Sequence, residues 1–412
     1  MKKAVIFLPC FFFAVTIFSQ GNKEHYIFPA EFEKHEAIWM GWKTVTSRGI
    51  DKSETLLKII RNLTPTVKVN LFIDDDSLIG FLHNQFNKWG IDKNQITMFV
   101  YPNPYSNVRD PGPIFLKSNK GNLAIADLKW NFYGNGSSTG PPAKRIDTID
   151  HFVARQLNLP VFNSNLVSEG GAREFNGKGT MMVVEYTERN RNKGWSKDSI
   201  EKELLRIFGQ KKVIWLEQGL AEDDPDKTYD LSSGKVSTIG CNHIDEFARF
   251  SSPNTILLAQ VTKEESLKDT LHKISYDRLE KNYRILKNAK DQDGKAFKII
   301  RVPVPEMIIK ERKINRNDTA LIRHHNLPPE GGKINVLIAT SYLNFLVTNG
   351  VVLMASYWKP GRPETMRQKD EQAKRILEKS FPGRKVIAIN VEILNEGGGG
   401  IHCATQQQPK GN

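Results

Sequence analysis

Residues 351–403 read VVLMASYWKPGRPETMRQKDEQAKRILEKSFPGRKVIAINVEILNEGGGGIHC, and their pattern of apolar residues decides the fold class. Val351 to Ala355 and Lys385 to Val391 are short runs rich in apolar and β-branched residues, which predict strands. Between them, in Glu364 to Ser380, apolar residues return every three or four positions, which predicts an amphipathic helix. Strand, helix and strand in succession indicate an α/β protein.

The same alternation extends outward through the rest of the chain. Further strands are predicted at Val67 to Ile73, Ile96 to Tyr101, Leu123 to Asp127, Thr180 to Tyr186, Val213 to Leu216, Thr255 to Gln260 and Ile299 to Val304. Further helices are predicted at Glu54 to Leu63, Arg145 to Leu157, Asp198 to Phe208 and Tyr276 to Leu286. The polar stretch from Glu222 to Lys235 is predicted to be a surface loop. No linker rich in proline, serine or glycine divides the sequence, so residues 21–412 are predicted to form one domain.

The N-terminal residues predict export. Lys2 and Lys3 precede an apolar run from Ala4 to Phe18, and the small and polar residues Ser19-Gln20-Gly21 follow it. This order is typical of a secretory signal peptide, whereas a membrane-spanning helix needs about 20 apolar residues. Residues 1–20 are therefore predicted to be a signal peptide, with an uncleaved anchor as the alternative. The remaining chain, which has no second apolar run long enough to span a membrane, is expected in the periplasm or outside the cell.

Charge and cysteine content narrow the class of protein. The formal net charge is +13, and loss of residues 1–20, which hold two lysines and no acid, leaves about +11. Only Cys241 and Cys403 then remain, which is too few for a disulfide framework. Because no basic and aromatic groove motif accompanies the charge, nucleic-acid binding is not expected.

The four glycines Gly397 to Gly400 precede Ile401-His402-Cys403. Glycines remove side chains from around the sulfur and let the backbone approach a ligand closely, whereas a structural cysteine usually packs among apolar residues. The pattern predicts that Cys403 is a nucleophile.

Four further clusters place ionisable or amide groups beside apolar runs, where the loops of α/β proteins carry function. They are Arg109-Asp110-Pro111-Gly112-Pro113, Glu169-Gly170-Gly171, His243-Ile244-Asp245 and the segment from Ser341 to Gly350 that contains Asn349. In an extended segment His243 and Asp245 would point to the same face. Asp110 and Asn349 are alternatively simple turn residues. No metal site is predicted, because His243 and Asp245 lack a third ligand at metal-binding spacing.

A thiolate, a histidine and several carboxylates together favour a cationic substrate. A guanidinium is planar and cationic, and its five N–H donors match paired carboxylates bidentately. Two aspartates could hold its nitrogens while the thiolate attacks its central carbon. The residues therefore predict hydrolysis of a guanidino group.

Six motifs carry a family resemblance that covers Phe28 to Pro409. They are the block Phe28 to Trp42, Arg-Asp-x-Gly-Pro at 109–113, Glu-Gly-Gly at 169–171, His-Ile-Asp at 243–245, Ser-Tyr-Leu-Asn-Phe at 341–345 and Gly-Gly-Gly-x-Ile-His-Cys at 397–403. In this order they strongly resemble the agmatine deiminase and bacterial peptidylarginine deiminase family. The resemblance implies an α/β fold of the pentein type, a five-bladed pseudo-symmetric α/β propeller, with residues 21–412 as a single deiminase catalytic domain.

The resemblance also implies a role for each site residue. Cys403 matches the nucleophile that forms a covalent amidino-thioether, and His243 matches the general acid and base. Asp110 and Asp245 match the carboxylates that hold the guanidinium, and Glu169 matches a carboxylate that supports the histidine. No metal or organic cofactor is implied.

Three further residues are predicted to contact the guanidino substrate: Asn349, Arg109 and Trp130. The chain departs from the family pattern at Gly400, where many relatives have Asn, and at Pro111, where a polar residue often stands. The charged stretch from Glu306 to Lys333, which includes His324 and His325, is predicted to be a solvated loop or a flap over the site.

The predicted substrate is arginine in peptides or proteins, with agmatine as the alternative and free arginine as a further possibility. Predicted export favours a peptidylarginine deiminase, whereas the Phe28 to Glu36 block and the Ile401 to Pro409 end look closer to the agmatine enzymes, whose product is N-carbamoylputrescine. The same residues would also suit an amidinotransferase or an inactive guanidino-binding protein. Cys241 is either an inert thiol or a partner that could cap Cys403 on oxidation. No pattern indicates the oligomeric state.

Overall fold

The fold is taken from a computed structural model that describes residues 24–45, 49–102, 104–134, 141–225, 227–232, 234–314 and 331–412. The predicted signal peptide lies outside these residues. None of the described helices combines the length and the apolar character needed to cross a bilayer.

Helices and strands alternate along the described residues. The α-helices are α1 Ser53–Leu63, α2 Leu78–Trp89, α3 Pro141–Ile146, α4 Ile149–Leu157, α5 Glu185–Arg191, α6 Lys197–Phe208, α7 Thr270–Asn288, α8 Glu364–Ser380 and α9 Glu392–Asn395. The strands are β1 Tyr26–Ile27, β2 His35–Gly41, β3 Lys68–Ile73, β4 Ile96–Val100, β5 Phe115–Ser118, β6 Leu123–Lys129, β7 Val161–Val167, β8 Arg173–Phe175, β9 Thr180–Val184, β10 Lys212–Leu216, β11 Thr228–Leu231, β12 Gly234–Thr238, β13 Ala248–Ser252, β14 Thr255–Gln260, β15 Lys298–Pro303, β16 Ile309–Lys313, β17 Lys333–Leu337, β18 Leu346–Val347, β19 Val351–Ser356, β20 Lys385–Asn390 and β21 Gln406–Pro409.

In the part of the chain that the structure describes, these strands form six small sheets. Their strand orders are β21-β2-β3-β4, β1-β5-β6-β7, β10-β9-β8, β11-β12-β17-β16, β13-β14-β15 and β18-β19-β20. Each sheet has an inner strand that pairs antiparallel on one side and parallel on the other, namely β2, β6, β9, β12, β14 and β19. One pairing scheme is thus repeated around the molecule, although the sequence shows no repeat.

The α/β class predicted from residues 351–403 is confirmed. Strands β19 and β20 pair in parallel, with Val351 opposite Lys385, and α8 connects them. Helix α8 buries Met366, Ala373 and Leu377, which lie on one face because their spacing follows the helical period. Full burial of a side chain such as Leu377 stabilises the fold by about 2 kcal/mol.

Several local predictions were wrong. The stretch from Glu222 to Lys235 is not a surface loop, because a buried 3-10 turn, Ala221–Asp223, begins it and the antiparallel pair of β11 and β12 follows. The predicted helix from Arg145 to Leu157 is interrupted before Ile149, and α5 begins at Glu185 inside the strand predicted to reach Tyr186.

The charged stretch from Glu306 to Lys333 is partly a hairpin. Strand β16 pairs antiparallel with β17, with Ile309 opposite Leu337 and Lys313 opposite Lys333. The segment between them, with His324 and His325, lies outside the described residues, so the choice between a loop and a flap stays a prediction.

Candidate active site

The predicted catalytic side chains lie in connections that lead from one sheet to the next. Asp110 lies between β4 and β5, and Glu169 lies between β7 and β8. His243 and Asp245 lie between β12 and β13, and Cys403 lies between β20 and β21. Four separate connections therefore supply one site.

Gly171 marks the point where three of these side chains meet. A Cβ atom placed on Gly171 would lie 2.4 Å from Nδ1 of His243 and 3.1 Å from both Oδ1 of Asp110 and Oδ2 of Asp245. Any side chain at this position would collide with the catalytic groups. The glycine beside Glu169 is therefore required by the close approach of the site residues.

Cys403 carries the candidate nucleophile and is 5% exposed. Its sulfur lies 3.3 Å from Nδ2 of Asn344 and 3.9 Å from Oδ2 of Asp245. A Cβ atom on Gly399 would lie 3.0 Å from Cβ of Cys403, and one on Gly400 would lie 2.4 Å from Oδ1 of Asn344. These two glycines do leave space around the nucleophile, as their pattern predicted.

The thiol of Cys403 is protonated in the unliganded protein. Burial raises its pKa well above the ordinary value, and the carboxylates of Asp245, Asp110 and Glu246 raise it further. A bound cation would reverse part of this effect by neutralising the carboxylates. The site is thus arranged to form a thiolate when a cationic ligand is present.

His243 is surrounded by carboxylates. Its Nδ1 lies 3.7 Å from Oδ1 of Asp110 and its Nε2 lies 3.6 Å from Oε2 of Glu169. Burial opposes the charged imidazolium, but Asp110, Glu169 and Asp245 outweigh burial and raise the pKa of His243 to about 9. His243 is therefore cationic at neutral pH and can donate a proton.

The backbone around His243 differs from the extended segment that the sequence predicted. A 3-10 turn, Ile244–Glu246, follows His243, so His243 and Asp245 do not share a face of a strand. Both carboxylate oxygens of Asp223 anchor this loop by accepting from the backbone N–H groups of Cys241, at 2.9 Å, and His243, at 2.7 Å.

Asp110 is held by two donors. The hydroxyl of Tyr133 donates to its Oδ2 at 2.8 Å and the N–H of Gly171 donates to its Oδ1 at 3.1 Å. Burial raises the pKa of Asp110, against the lowering effect of His243. Trp130, a predicted substrate contact, is buried and packs against Tyr133 with ring centroids 5.9 Å apart, so it borders the Asp110 side of the site.

One carboxylate oxygen of Glu169 faces His243, and the other pairs with an arginine. Its Oε1 accepts from Nε of Arg191 at 2.7 Å, and both side chains are buried. Although burial opposes ionisation, Arg191 and His243 lower the pKa of Glu169 to about 2. Glu169 thus remains an anion beside Nε2 of His243, which is the geometry that a supporting carboxylate needs.

Asp245 is connected through His402 to the N-terminal segment. His402 Nδ1 lies 2.7 Å from Oδ2 of Asp245, and His402 Nε2 lies 2.9 Å from both oxygens of Glu31. Burial opposes ionisation of Asp245, but the hydrogen bond and the charge of His402 lower its pKa. Asp245 is therefore an oriented carboxylate.

Arg109, a predicted substrate contact, is buried and paired with other parts of the chain. Its Nη1 donates to Oε1 of Glu31 at 2.6 Å and its Nε donates to the carbonyl of His402 at 3.3 Å. Its Nη2 donates to Gln407, and its backbone N–H donates to the carbonyl of Cys403 at 3.1 Å. Arg109 holds the loop that carries the nucleophile.

Asn349, another predicted substrate contact, is hydrogen-bonded to the backbone of His35 and Thr66. Its Oδ1 accepts from the N–H of His35 at 2.8 Å, and its Nδ2 donates to the carbonyls of His35 at 2.9 Å and Thr66 at 3.4 Å. The asparagine at the sulfur is Asn344, five positions earlier in the same motif. A turn asparagine before Gly350, the alternative interpretation, fits the observed position between β18 and β19.

Sequence reasoning missed four residues that contact or support the candidate catalytic groups: Glu31, Asp223, Asn344 and His402. Three of them lay within the quoted motifs, yet a spacing pattern could not show which catalytic group each contacts. Asp223 lay in the stretch that was predicted to be exposed.

Two glutamates and a histidine lie as close together as the ligands of a metal ion would. Ligand atoms of Glu31, Glu174 and His402 lie within 4.8 Å of one another. Arg249 contacts Glu31 at 2.6 Å and also pairs with Glu174. The guanidinium groups of Arg249 and Arg109 therefore already pair with these carboxylates, which do not require a metal ion for charge balance. Cys241 and Cys403 are both free thiols.

A buried thiol, an imidazolium and three carboxylates, collected from loops of an α/β fold, define a cysteine-dependent enzyme for a cationic substrate. Residues 27–409 match the model of the Porphyromonas-type peptidyl-arginine deiminase family. The chain belongs to this family, and it is a hydrolase that acts on the carbon–nitrogen bonds of guanidino groups.

Relatives match over nearly their whole length. A protein of Streptomyces coelicolor named "Putative agmatine deiminase" is 31% identical over 393 residues, which are 93% of this chain and 98% of that protein. A protein of Legionella pneumophila with the same name is 27% identical over 396 residues, 93% of this chain and 95% of that protein. The solved structure of the agmatine deiminase of Enterococcus faecalis has a TM-score of 0.72 at 23% identity, with 94% of this chain and 96% of that chain covered.

Proposed function

We propose that the chain hydrolyses the guanidino group of agmatine to a ureido group, releasing ammonia and N-carbamoylputrescine. The observation that carries the choice of substrate is the depth of the nucleophile, since Cys403 is 5% exposed. Agmatine is a slender chain that ends in an amine, whereas arginine in a protein brings backbone on both sides and needs an open groove. The Streptomyces coelicolor relative named "Putative agmatine deiminase", which matches over 98% of its length, supports the same choice.

The arginines of the site do not favour free arginine as substrate. An α-carboxylate would need a cation to pair with. Arg191 is bound to Glu169, Arg109 to Glu31 and Arg249 to both Glu31 and Glu174. Each of these guanidinium groups is therefore already paired with a carboxylate of the protein.

In the first half-reaction, the carboxylates of Asp110 and Asp245 would hold the substrate guanidinium. Its charge would lower the pKa of Cys403 and release the thiol proton to solvent. The thiolate then forms a bond to the guanidino carbon, and the bond from that carbon to a terminal nitrogen breaks. His243, protonated because its pKa is about 9, gives its proton to the departing nitrogen, which leaves as ammonia.

In the second half-reaction, His243 is neutral and can act as a base. It would take a proton from a water molecule as that water attacks the amidino-thioether carbon. The carbon–sulfur bond then breaks as the oxygen gives its second proton to solvent, the thiolate is regenerated and the ureido product leaves. Glu169, with its pKa of about 2, stabilises the imidazolium in both steps.

We also infer that five of the sheets are blades of a propeller around this site, as the family resemblance implies. The repeated pairing scheme of the sheets and the origin of the catalytic groups in sheet-to-sheet connections support this arrangement. The sheet β11-β12-β17-β16 would then be an addition, because it contains the hairpin of the charged insert.

The second candidate substrate is arginine in peptides or proteins. The match to a peptidyl-arginine deiminase family model supports it, and the prediction of export by residues 1–20 favours it because an exported enzyme meets peptides. Export itself stays a prediction.

Ammonia release by residues 21–412 tests these proposals. Agmatine, free arginine and an arginine peptide blocked at both ends are offered separately, and Cys403→Ala serves as the blank. Turnover of agmatine with N-carbamoylputrescine in the mass spectrum is expected. Turnover of the blocked peptide alone would establish the second candidate, and no ammonia from any of the three would contradict both. Transfer of the amidino group to an added amine would instead indicate an amidinotransferase.

A further inference from the structure

The amide of Asn344 lies directly against the sulfur of Cys403. Nδ2 of Asn344 is 3.3 Å from Sγ and Oδ1 is 3.8 Å from it. Both residues are buried, and they come from different sheet connections, since Asn344 lies between β17 and β18. The contact is therefore a product of the tertiary fold.

Neighbouring groups fix which end of the amide faces the sulfur. Oδ1 of Asn344 accepts from the backbone N–H of His402 at 3.0 Å, and a backbone N–H can only donate. Nδ2 donates to Oε1 of Glu246 at 2.8 Å. Exchanging the two amide atoms would set two donors against each other, so the NH₂ group is the end that is closer to Sγ.

The sulfur has few other sources of stabilisation as an anion. Asp245 lies 3.9 Å away, and burial with the nearby carboxylates raises the thiol pKa. A backbone N–H of Gly400 lowers this pKa. A second N–H donor at the sulfur would offset part of this penalty, because hydrogen bonds to charged groups are stronger than neutral ones.

We propose that Asn344 is a further catalytic residue, whose side-chain NH₂ donates a hydrogen bond to the Cys403 thiolate and fixes the sulfur for attack. The role in attack rests on the proposed function. The same contact explains why residue 400 is a glycine. A Cβ atom there would lie 2.4 Å from Oδ1 of Asn344 and would displace the amide. Asn344 and Gly400 thus act as a pair.

The test is the rate at which iodoacetamide alkylates Cys403 as a function of pH, read from the mass of the Cys403 peptide without substrate. We expect Asn344→Ala to raise the apparent thiol pKa by about one unit and to slow alkylation about 10-fold below that pKa, as loss of one charge-assisted hydrogen bond implies. Asn282→Ala is the matched control, since Asn282 is a buried asparagine that binds the backbone of Glu217 and Gln218. An Asn344→Ala profile that coincides with wild type would overturn the proposal.

Two further variants keep the test decisive if Asn344→Ala folds poorly. Asn344→Ser retains a smaller donor, and we expect it to fall between wild type and Asn344→Ala. Gly400→Ala should slow alkylation in the wild type but add less than a twofold effect in the Asn344→Ala background. Equal effects of Gly400→Ala in both backgrounds would contradict the pairing.

The ammonia assay separates this proposal from the proposed function. Asn344→Ala should lower kcat about 10-fold or more and change KM less than threefold, because the hydrogen bond is made to the nucleophile and not to the substrate. A shifted alkylation profile in a protein that turns over no guanidino substrate would retain the hydrogen bond and contradict the function alone.

Discussion

Nδ1 of His402 lies 2.7 Å from Oδ2 of Asp245, so the residue before the nucleophile orients the carboxylate that is proposed to hold the substrate. The other ring nitrogen of His402 contacts Glu31, which also binds Arg109 and Arg249. One glutamate of the N-terminal segment therefore supports the nucleophile loop and the substrate carboxylate together.

This arrangement predicts the effect of Glu31→Gln, which keeps the shape of the side chain but removes its charge. We expect kcat/KM to fall about 10- to 100-fold, the range seen when a residue behind a functional group is removed. In a His402→Gln background the same change should have much less effect, because the connection to Asp245 is already lost. Steady-state kinetics of the two single variants and the double variant measure this coupling. Fully additive losses would mean that Glu31 does not act through His402.

Gly171→Ala is expected to lower activity more than 100-fold. The added Cβ atom would lie 2.4 Å from Nδ1 of His243, so the imidazole must move away from Asp110. The control is Gly80→Ala, because a Cβ atom on Gly80 has no neighbour within 4 Å. Ammonia release and the melting temperature are measured for both, and normal activity of Gly171→Ala would show that the three side chains do not meet there.

The raised pKa of His243 predicts a pH-dependent contribution to stability. The folded protein keeps the proton on His243 up to about pH 9, whereas the unfolded chain releases it near the ordinary value of 6.5. This contribution is therefore fully present below pH 6.5 and is lost as the pH rises through 9. Urea unfolding of wild type and His243→Gln at pH 6 and pH 9.5 measures it. We expect the free-energy difference between the two proteins to shrink at the higher pH, and a constant difference would contradict the assignment.

The raised pKa of His243 also predicts how kcat/KM changes at high pH. Since His243 donates a proton to the leaving nitrogen, kcat/KM for the proposed substrate should fall above pH 9, where the free enzyme loses that proton. Initial rates between pH 6 and pH 10.5 check this limb. Activity that rises steadily past pH 10 would assign the acid to another group.

Asn349→Ala tests whether that residue contacts the substrate, as the sequence predicted, or only holds the backbone of His35. Loss of its hydrogen bonds to the backbone of His35 should lower the free energy of unfolding by about 1 to 2 kcal/mol. KM should stay within twofold of wild type, because the amide has no contact with the catalytic groups in the described structure. Urea unfolding measures the change in stability, and steady-state kinetics measure KM. A large rise in KM with unchanged stability would support the prediction of a substrate contact.

Much of the secondary structure could be predicted because it depends on local periodicity. The predicted helix from Glu364 to Ser380 has the observed bounds of α8, and the predicted strand from Thr255 to Gln260 has those of β14. Short strands such as β8 and β18 were missed, since two or three residues carry too little pattern. The buried acids Glu222 and Asp223 were misplaced because polar residues in sequence normally indicate exposure.

The sequence by itself determined the α/β class and the family, and it predicted the reacting groups, because motifs fix residue types within a few positions of each other. The nucleophile Cys403 and the groups His243, Asp110, Asp245 and Glu169 needed only this local information. Their partners depended on tertiary structure. Asn344 reached the sulfur and Glu31 reached His402 across long stretches of chain, while Arg109 and Asn349 were drawn to backbone and carboxylate partners. Hydrogen bonds act over about 3 Å, and only the packing of distant connections sets distances on that scale.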